Sequence, residues 1–569
     1  MLTCQRIKIY VVLPLLDLFS IRKTILGKER IMPQYDGVII GCGPNGLTLG
    51  CYLAKAGLKV LILEKRYEMG GGLCSEMITI PGFIHNTHAI YHPMVDYAPV
   101  FADLELDKTY DLRYIHPGLV MAMPFLDGRS LCIYSDVEKT CASFAQFSKK
   151  DADAYRDTYK RFKEYTDAFL APATYEMAKP AIEQLIKLHS SPLGQEISAL
   201  SVKKPIDIVH GIFENNQVRT LMLYATCLWG LDYDLEGLGY LVPLMINRAA
   251  NYRLCIGGSH HMANLMSKFL YRHGGMILGS QIIKRIIVEN GVAKGVELED
   301  GTVYEGTKFV ASSIDPYQTF LKYIGEKDLP KDLVTRTKDW KWEKWSLFDT
   351  HLALFTAPQF SAAASNPDLN KAFIYVVGFE TEENLVEHFK ALKSGELKPS
   401  GFNCCFPTLF DPSEAPPGRH TGLISEHAPY RLKEGGPERW YKIRQEHARQ
   451  NIDRLRKYAP NMTEDNILWT YIASPLDIEN KFADMVEGSI KQGGYYPLQM
   501  GYLRPNELCS QYATPLKNLY LCGASTFPGG LVTYGAGYNA ANRITQDLGI
   551  KKWWKEPEIV TQAKTKGLL

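Results

Sequence analysis

A doubly wound parallel α/β sheet, joined to an inserted α+β region, is the fold class this sequence predicts, and three observations predict it. A short β-branched run enters a G-x-G-x-x-G turn and then a helix within residues 35–56. Strand-rich stretches return far down the chain, at 279–312 and 519–522. Helical and apolar stretches fill the intervals between them. The 569 residues are 46% hydrophobic and 22% charged, which excludes wholesale disorder and fibrous structure. Lys and Arg number 64 against 62 Asp and Glu, and no block of like charge occurs, so nothing here is built to hold nucleic acid.

Residues 1–32 read as a dispensable leader. Arg6 and Lys8 precede an apolar run from Ile9 to Phe19, broken by Pro14 and Asp17. That run is too short to span a bilayer, and no small-residue cleavage site follows before Arg22 and Lys23. Met32 is the candidate start. No other stretch is apolar enough to cross a membrane, so a cytoplasmic protein, at most peripheral at the membrane, is expected. The twelve cysteines are scattered without a Cys-x-x-Cys pair, which argues against zinc ribbons and thioredoxin-type motifs and for a reducing compartment.

The nucleotide signal is local and complete. Residues 35–40 read as a buried strand, Leu47 to Ala56 as a helix ended by Gly57, and Lys59 to Leu63 as a second strand with Glu64 at its end. Gly41 permits the tight turn, Gly43 admits a pyrophosphate to the backbone, and Gly46 lets helix and strand pack closely. The helix N-terminus offers free N–H groups to the phosphates. Glu64 can accept hydrogen bonds from ribose hydroxyls. A second glycine cluster, Gly70-Gly71-Gly72, suits the longer FAD, although a plain surface turn accounts for it equally well. Gly279 to Val288 and Gly291 to Leu298 read as a hairpin, and Gly301 to Ser312 as further strand. The block from Leu519 reads as strand, glycine turn and a helix over Ala536 to Leu548.

Asp36–Gly46, Leu61–Gly72 and Pro81-Gly82-Phe83 resemble the N-terminal part of the phytoene-desaturase-related FAD-dependent oxidoreductases, a group with carotenoid desaturases and isomerases, retinol saturases and amine oxidases. Phe144–Ala152, Gly257-Gly258-Ser259 with Arg272–Gly275, and Leu519–Gly530 resemble later blocks of the same family, so the likeness runs from about 35 to 548. It implies a Rossmann-like, glutathione-reductase-type FAD-binding domain assembled from residues 33–110, 251–330 and 491–550. Residues 111–250 and 331–490 would form the substrate domain, with 551–569 a tail. By resemblance the FAD contacts are Gly41, Gly43, Pro44, Asn45 and Gly46, then Glu64, Lys65, Gly71 and Gly72. Ile283 would meet the adenine and Ser312 the pyrophosphate. Gly523, Ala524, Gly530, Leu531 and Val532 would complete the site. This chain departs from the pattern at Gly523-Ala524, which lacks a carboxylate, and at Phe527, where the subgroup often has His. No second G-x-G-x-x-G follows a strand, so a separate NAD(P)H domain lacks support.

The resemblance implies an oxidoreductase that takes hydride from a small hydrophobic, isoprenoid-like or alicyclic substrate and passes electrons to quinone, oxygen or a redox partner. A flavin-dependent isomerase without net redox and a non-catalytic flavin-binding interaction protein stand as alternatives. In the first insertion, Asp151–Leu170, Ile182–Leu188, Thr220–Trp229 and Leu238–Met245 read as helical or apolar and supply either core or pocket. His85, His88 and His92 have spacing open to a metal, but flanking prolines favour a strand and loop, and no metal is expected. His92 and Tyr534 are the expected catalytic pair, facing the flavin as proton acceptor or polar anchor. Lys551-Lys552-Trp553-Trp554-Lys555 reads as a membrane-interface segment, a solvated helix end or a subunit contact, and an oligomer stays open.

Overall fold

Alternation along the first strand sets the layers. Val38 and Ile40 pack with Leu61, Leu63 and Val310 on one face, while Ile39 packs with Leu49, Ile62 and Phe309 on the other. A strand covered on both faces needs apolar residues at every position, which is why the run lacks the usual polar alternation. The computed structural model describes residues 34–569 except 399, so the leader lies outside the described residues.

Seven strands form this first sheet: β1 (Gln34–Ile40), β2 (Val60–Leu63), β3 (Met276–Leu278), β4 (Ile283–Glu289), β5 (Val292–Leu298), β6 (Val303–Ser312) and β7 (Leu519–Leu521). Their order is β4-β5-β6-β1-β2-β3, with β7 pairing β6. β1 is parallel to both β2 and β6, and β7 is parallel to β6. β4 and β5 form the expected antiparallel hairpin. The sequence pattern puts the start of that hairpin at Gly279. Residues 276–278 instead form a separate edge strand parallel to β2, and β4 starts only at Ile283.

Four helices matter for the site: α1 (Pro44–Lys55), α2 (Ala181–His189), α3 (Trp440–Tyr458) and α4 (Gly535–Asp547). α1 starts at Pro44 rather than Leu47, because proline is at home in a first helical turn. The segment expected as one helix over 151–170 runs as Lys149–Tyr165, capped by Ser148, and continues as a π-helical turn over Thr166–Leu170.

A second seven-stranded sheet runs in the order Ile467–Ala473, Ser346–Leu354, His420–Ala428, Phe402–Cys405, Ile374–Val377, Leu119–Pro124, Ser130–Tyr134. α3 covers one face, with Leu455 and Tyr458 against Leu352, Leu354 and Tyr375. The other face joins the large core that also holds helices of residues 149–249.

In the Lys551–Lys555 segment both tryptophans pack on the protein. Trp553 donates to the Tyr52 carbonyl at 2.9 Å and lies under the Lys55 ammonium, 3.7 Å from its ring centre. Trp554 packs edge-on against Tyr52. The tryptophans therefore clamp the tail onto α1. Among the described residues no helix is long and apolar enough to cross a membrane. The eleven cysteines among them are free and buried.

Candidate active site

The glycine turn is shaped by what each missing Cβ leaves free. Gly41 has φ +88°, and a Cβ on Gly46 would sit 2.1 Å from the Gly41 carbonyl oxygen. Gly46 is thus required where helix meets strand, and it does not line a cavity wall. A Cβ on Gly43 would meet nothing within 4 Å, because this backbone borders an open cavity. Gly71, with φ +53°, lies back to back with Gly43, its absent Cβ 2.9 Å from the Gly43 Cα.

This cavity has a volume of about 300 Å³. Gly41, Gly43, Pro44, Asn45, Glu64 and Lys65 line it, with Gly71 and Gly72. So do Gln281, Ile283 and Tyr323. Ala524, Gly530, Leu531 and Val532 line it as well. Three chain segments distant in sequence thus bound one groove that includes bare glycine backbone, which suits a dinucleotide such as FAD. Glu64 is 9% exposed, and its two oxygens accept the Cys42 and Arg66 backbone N–H groups at 2.8 and 2.9 Å. Burial pushes its carboxyl up from the ordinary value. It therefore anchors the turn as well as facing the groove. Glu64→Ala is expected to lose about 1–3 kcal/mol of cofactor affinity, so that the flavin leaves on dialysis. Absorbance of the dialysed protein checks this, and flavin retained at the wild-type level would remove Glu64 from the site.

Two expected contacts shift. Ser312 is fully buried and shares a 2.7 Å hydrogen bond with the Thr319 hydroxyl, away from the groove. Its neighbour Ser313 lines the groove instead and donates to the Ile40 carbonyl at 2.9 Å. Gly523 faces inward, where a Cβ would strike the Ser313 carbonyl at 2.2 Å, and Ala524 forms the wall.

Several wall residues lie outside the expected cofactor contacts. His88, Gln318, Asp484 and Gln492 line the groove. Gln492 donates to Asp484 at 2.6 Å and to the Ser313 carbonyl at 3.0 Å. Behind the flavin loop, Arg504 is fully buried. Its guanidinium donates to the carbonyls of Ala524 at 2.8 Å, Lys491 at 2.9 Å and Gly493 at 3.2 Å. Lys491, also buried, pairs with Glu343. The only sequence signal for this bracing is an isolated arginine before Pro505.

A second cavity of about 360 Å³ lies beside the first. Phe169, Leu170, Trp229, Leu244, Met245 and Tyr495 give it a predominantly apolar wall. Among its polar wall residues, Arg248 is already held by Asp96 at 2.7 Å and by the Pro93 carbonyl at 3.0 Å. Gly530 and Leu531 line both cavities, so the groove and the apolar pocket meet there. The backbone at this junction is strained. Leu531 and Val532 have φ of 72° and 53°. Each such non-glycine residue costs on the order of 1–2 kcal/mol. Strain of this kind persists only where surrounding structure fixes it, and it concentrates at functional sites.

The structure does not bring His92 and Tyr534 to the junction; neither lines either cavity. His92 is buried, with its ring nitrogens 3.0 Å from the Ser259 and the Tyr114 hydroxyls. Tyr534 is buried edge-on against Phe101. Burial lowers the His92 imidazole from about 6.5 to about 4. The unfolded chain thus binds a proton that the folded chain refuses, so this group removes stability as pH falls from about 6.5 toward 4. His92→Phe is expected to cost about 1–3 kcal/mol at neutral pH from unpaired hydroxyls. It should also flatten that part of the acid slope while leaving flavin bound and reducible. Denaturant unfolding across pH checks the first two, and slowed flavin reduction would return His92 to the chemistry.

Residues 39–105 match the NAD(P)-binding Rossmann-like domain family. One of the subunits of limonene dehydrogenase from Castellaniella defragrans is 38% identical over 549 residues, spanning 94% of this chain and 99% of that protein. The 4,4'-diapophytoene desaturase (4,4'-diapolycopene-forming) of a Methylomonas species is 23% identical over 376 residues, spanning 60% of this chain and 72% of that protein. Cyclohexylamine oxidase from Brevibacterium oxydans IH-35A superposes with a TM-score of 0.56 at 16% identity, covering 91% of this chain and all of that one, a likeness of fold.

Proposed function

This chain belongs to the phytoene-desaturase-related family of FAD-dependent oxidoreductases, and we propose that within it the protein dehydrogenates a small alicyclic or isoprenoid-like hydrocarbon. The observation that carries this reading is the shared wall at Gly530 and Leu531, where a glycine-lined dinucleotide groove opens onto an apolar pocket. FAD is the cofactor, and when bound it supplies the acceptor for the electron pair of a substrate C–H bond.

The chain's own residues do the positioning. The glycine turn, Glu64 and the N-terminus of α1 hold the nucleotide half. Arg504 fixes the Ala524 and Lys491 carbonyls, and so the loop that carries the junction. The wall of Phe169, Leu170, Trp229 and Leu244 selects by shape and excludes water, as a hydrocarbon with no polar handle requires. The 38% identical relative is named a dehydrogenase, which favours net oxidation over the isomerase and non-catalytic readings. Its name also calls it a subunit, which supports a second chain as partner.

Electrons are proposed to leave to a quinone, oxygen or a protein partner. The motivation is the single G-x-G-x-x-G after a strand in this sequence. Stopped-flow mixing of reduced enzyme with a quinone, oxygen or NAD should show fast reoxidation by one of the first two or by an added redox protein. Fast reoxidation by NAD alone would overturn that assignment.

A further inference from the structure

Part of the apolar pocket's wall comes from residues far along the chain from the rest of it. Helix α5 (Glu558–Thr565) buries Val560 and Ala563. It packs on the segments 166–170 and 171–174, whose Phe169, Leu170, Ala173 and Thr174 line the pocket. After α5 the chain reverses. Gly567 has φ +72°, and the Gly567 and Leu568 N–H groups donate to the Lys564 and Ala563 carbonyls, each at 3.0 Å. A left-handed glycine that closes a helix with this bond pattern sends the next residues off the helix axis. Here they turn inward: Leu568 and Leu569 are 1% and 5% exposed, and Leu569 lines the pocket. Side chains from the pocket's own wall hold this turn. Gln184 donates to the Leu568 carbonyl at 2.9 Å and Lys187 to the Leu569 carbonyl at 3.0 Å. Both belong to α2, whose Leu185 and Leu188 line the same pocket. α2 itself buries only Leu188, while Ile182 and Ile186 stand exposed. Lys564 on α5 pairs at 2.8 Å with Glu176, another lining residue.

We propose that Leu569 is a specificity-determining residue, and that this tail sets the largest hydrocarbon the pocket accepts. The inference deepens the dehydrogenase reading and rests on the apolar pocket being its substrate site. A hydrocarbon offers no polar group to recognise, so the shape of the wall sorts one from another. One methylene more or less in an apolar pocket is worth about 10–200-fold in discrimination. A leucine side chain at the wall amounts to several such groups. Leu569 lines the pocket and is absent from the walls of the dinucleotide groove, so its size acts on substrate and not on cofactor. The bonds that hold it run from Gln184 and Lys187 to backbone carbonyls, and they survive a change of side chain at 569. A residue that merely pinned the tail would alter stability and leave the order of preference among hydrocarbons as it is.

The test titrates the flavin-loaded protein with two saturated probes, one-ring methylcyclohexane and three-ring perhydroanthracene, and reads binding from the shift of the flavin absorbance. Leu569→Ala should raise the affinity ratio of the larger probe over the smaller by about tenfold or more, and Leu569→Phe should lower it by a similar factor. Opposite shifts from one position separate a wall from a clasp, since lost packing would move both variants the same way. Thr565→Ala, on the exposed face of α5, should keep the wild-type ratio. A ratio that stays put in both Leu569 variants, or moves the same way in both, would overturn the proposal. So would a wild type that binds neither probe. Stopped-flow reduction of the flavin by unsaturated alicyclic hydrocarbons reads the dehydrogenase assignment separately. Probes that bind with the expected ratios, beside a flavin that no hydrocarbon reduces, would contradict that assignment alone and leave Leu569 as the wall of an apolar-ligand site.

Discussion

Gly43→Trp is expected to purify colourless. No atom lies within 4 Å of the position a Cβ would take, and that empty space is the groove itself. A side chain there starts into the groove rather than into protein, so the fold is expected to survive while the nucleotide half loses its seat. The contrast with Gly46 sharpens the test. There a Cβ would meet the Gly41 carbonyl at 2.1 Å, so substitution would damage folding and cofactor binding together. Loss of FAD affinity for Gly43→Trp should be at least about a hundredfold, close to 3 kcal/mol. The ratio of flavin to protein absorbance, with far-ultraviolet circular dichroism as the folding control, measures it. A yellow, fully loaded Gly43→Trp protein would end the assignment of this turn to the cofactor.

Ala173→Trp is expected to give the opposite pattern, with flavin bound and turnover lost. Ala173 lines the apolar pocket and is absent from the walls of the dinucleotide groove. A bulky ring there occupies space that the substrate needs. Displacing a substrate by an ångström from its reacting position costs on the order of a hundredfold in rate. Reduction of bound flavin by a small alicyclic hydrocarbon that bleaches the wild-type flavin should fall by about that factor or more, while its rate with dithionite stays unchanged. Equal rates with that hydrocarbon in both proteins would place the substrate elsewhere.

Local signals make half of this site legible. The β1 run, the three turn glycines and Glu64 are close in sequence, and each has a steric or hydrogen-bonding task that no other residue type performs. The strands at 283–312 and 519–521 are readable from β-branched runs, but not the register of the last residues. One residue separates buried Ser312 from Ser313 in the groove wall, and a strand's alternation makes that step a change of face. Asp484, Gln492 and Arg504 are invisible in the sequence because their partners lie elsewhere in the chain, at Ser313 and Ala524. His92 and Tyr534 look functional by position, yet position along a chain does not say which way a side chain turns. The Trp553-Trp554 pair suits a membrane interface and a protein groove alike, and only the presence of Tyr52 and Lys55 decides between them. The exposed face of α2 is readable as apolar helix, but not as uncovered.

Anaerobic mixing of the FAD-loaded protein with limonene tests the central claim, that the apolar pocket presents a hydrocarbon C–H bond to the cofactor across the Gly530–Leu531 wall. The account predicts bleaching of the oxidised flavin absorbance, with one oxidised product molecule for each flavin reduced. Flavin that dithionite reduces, yet that neither limonene nor any other small alicyclic or isoprenoid hydrocarbon bleaches, would contradict it.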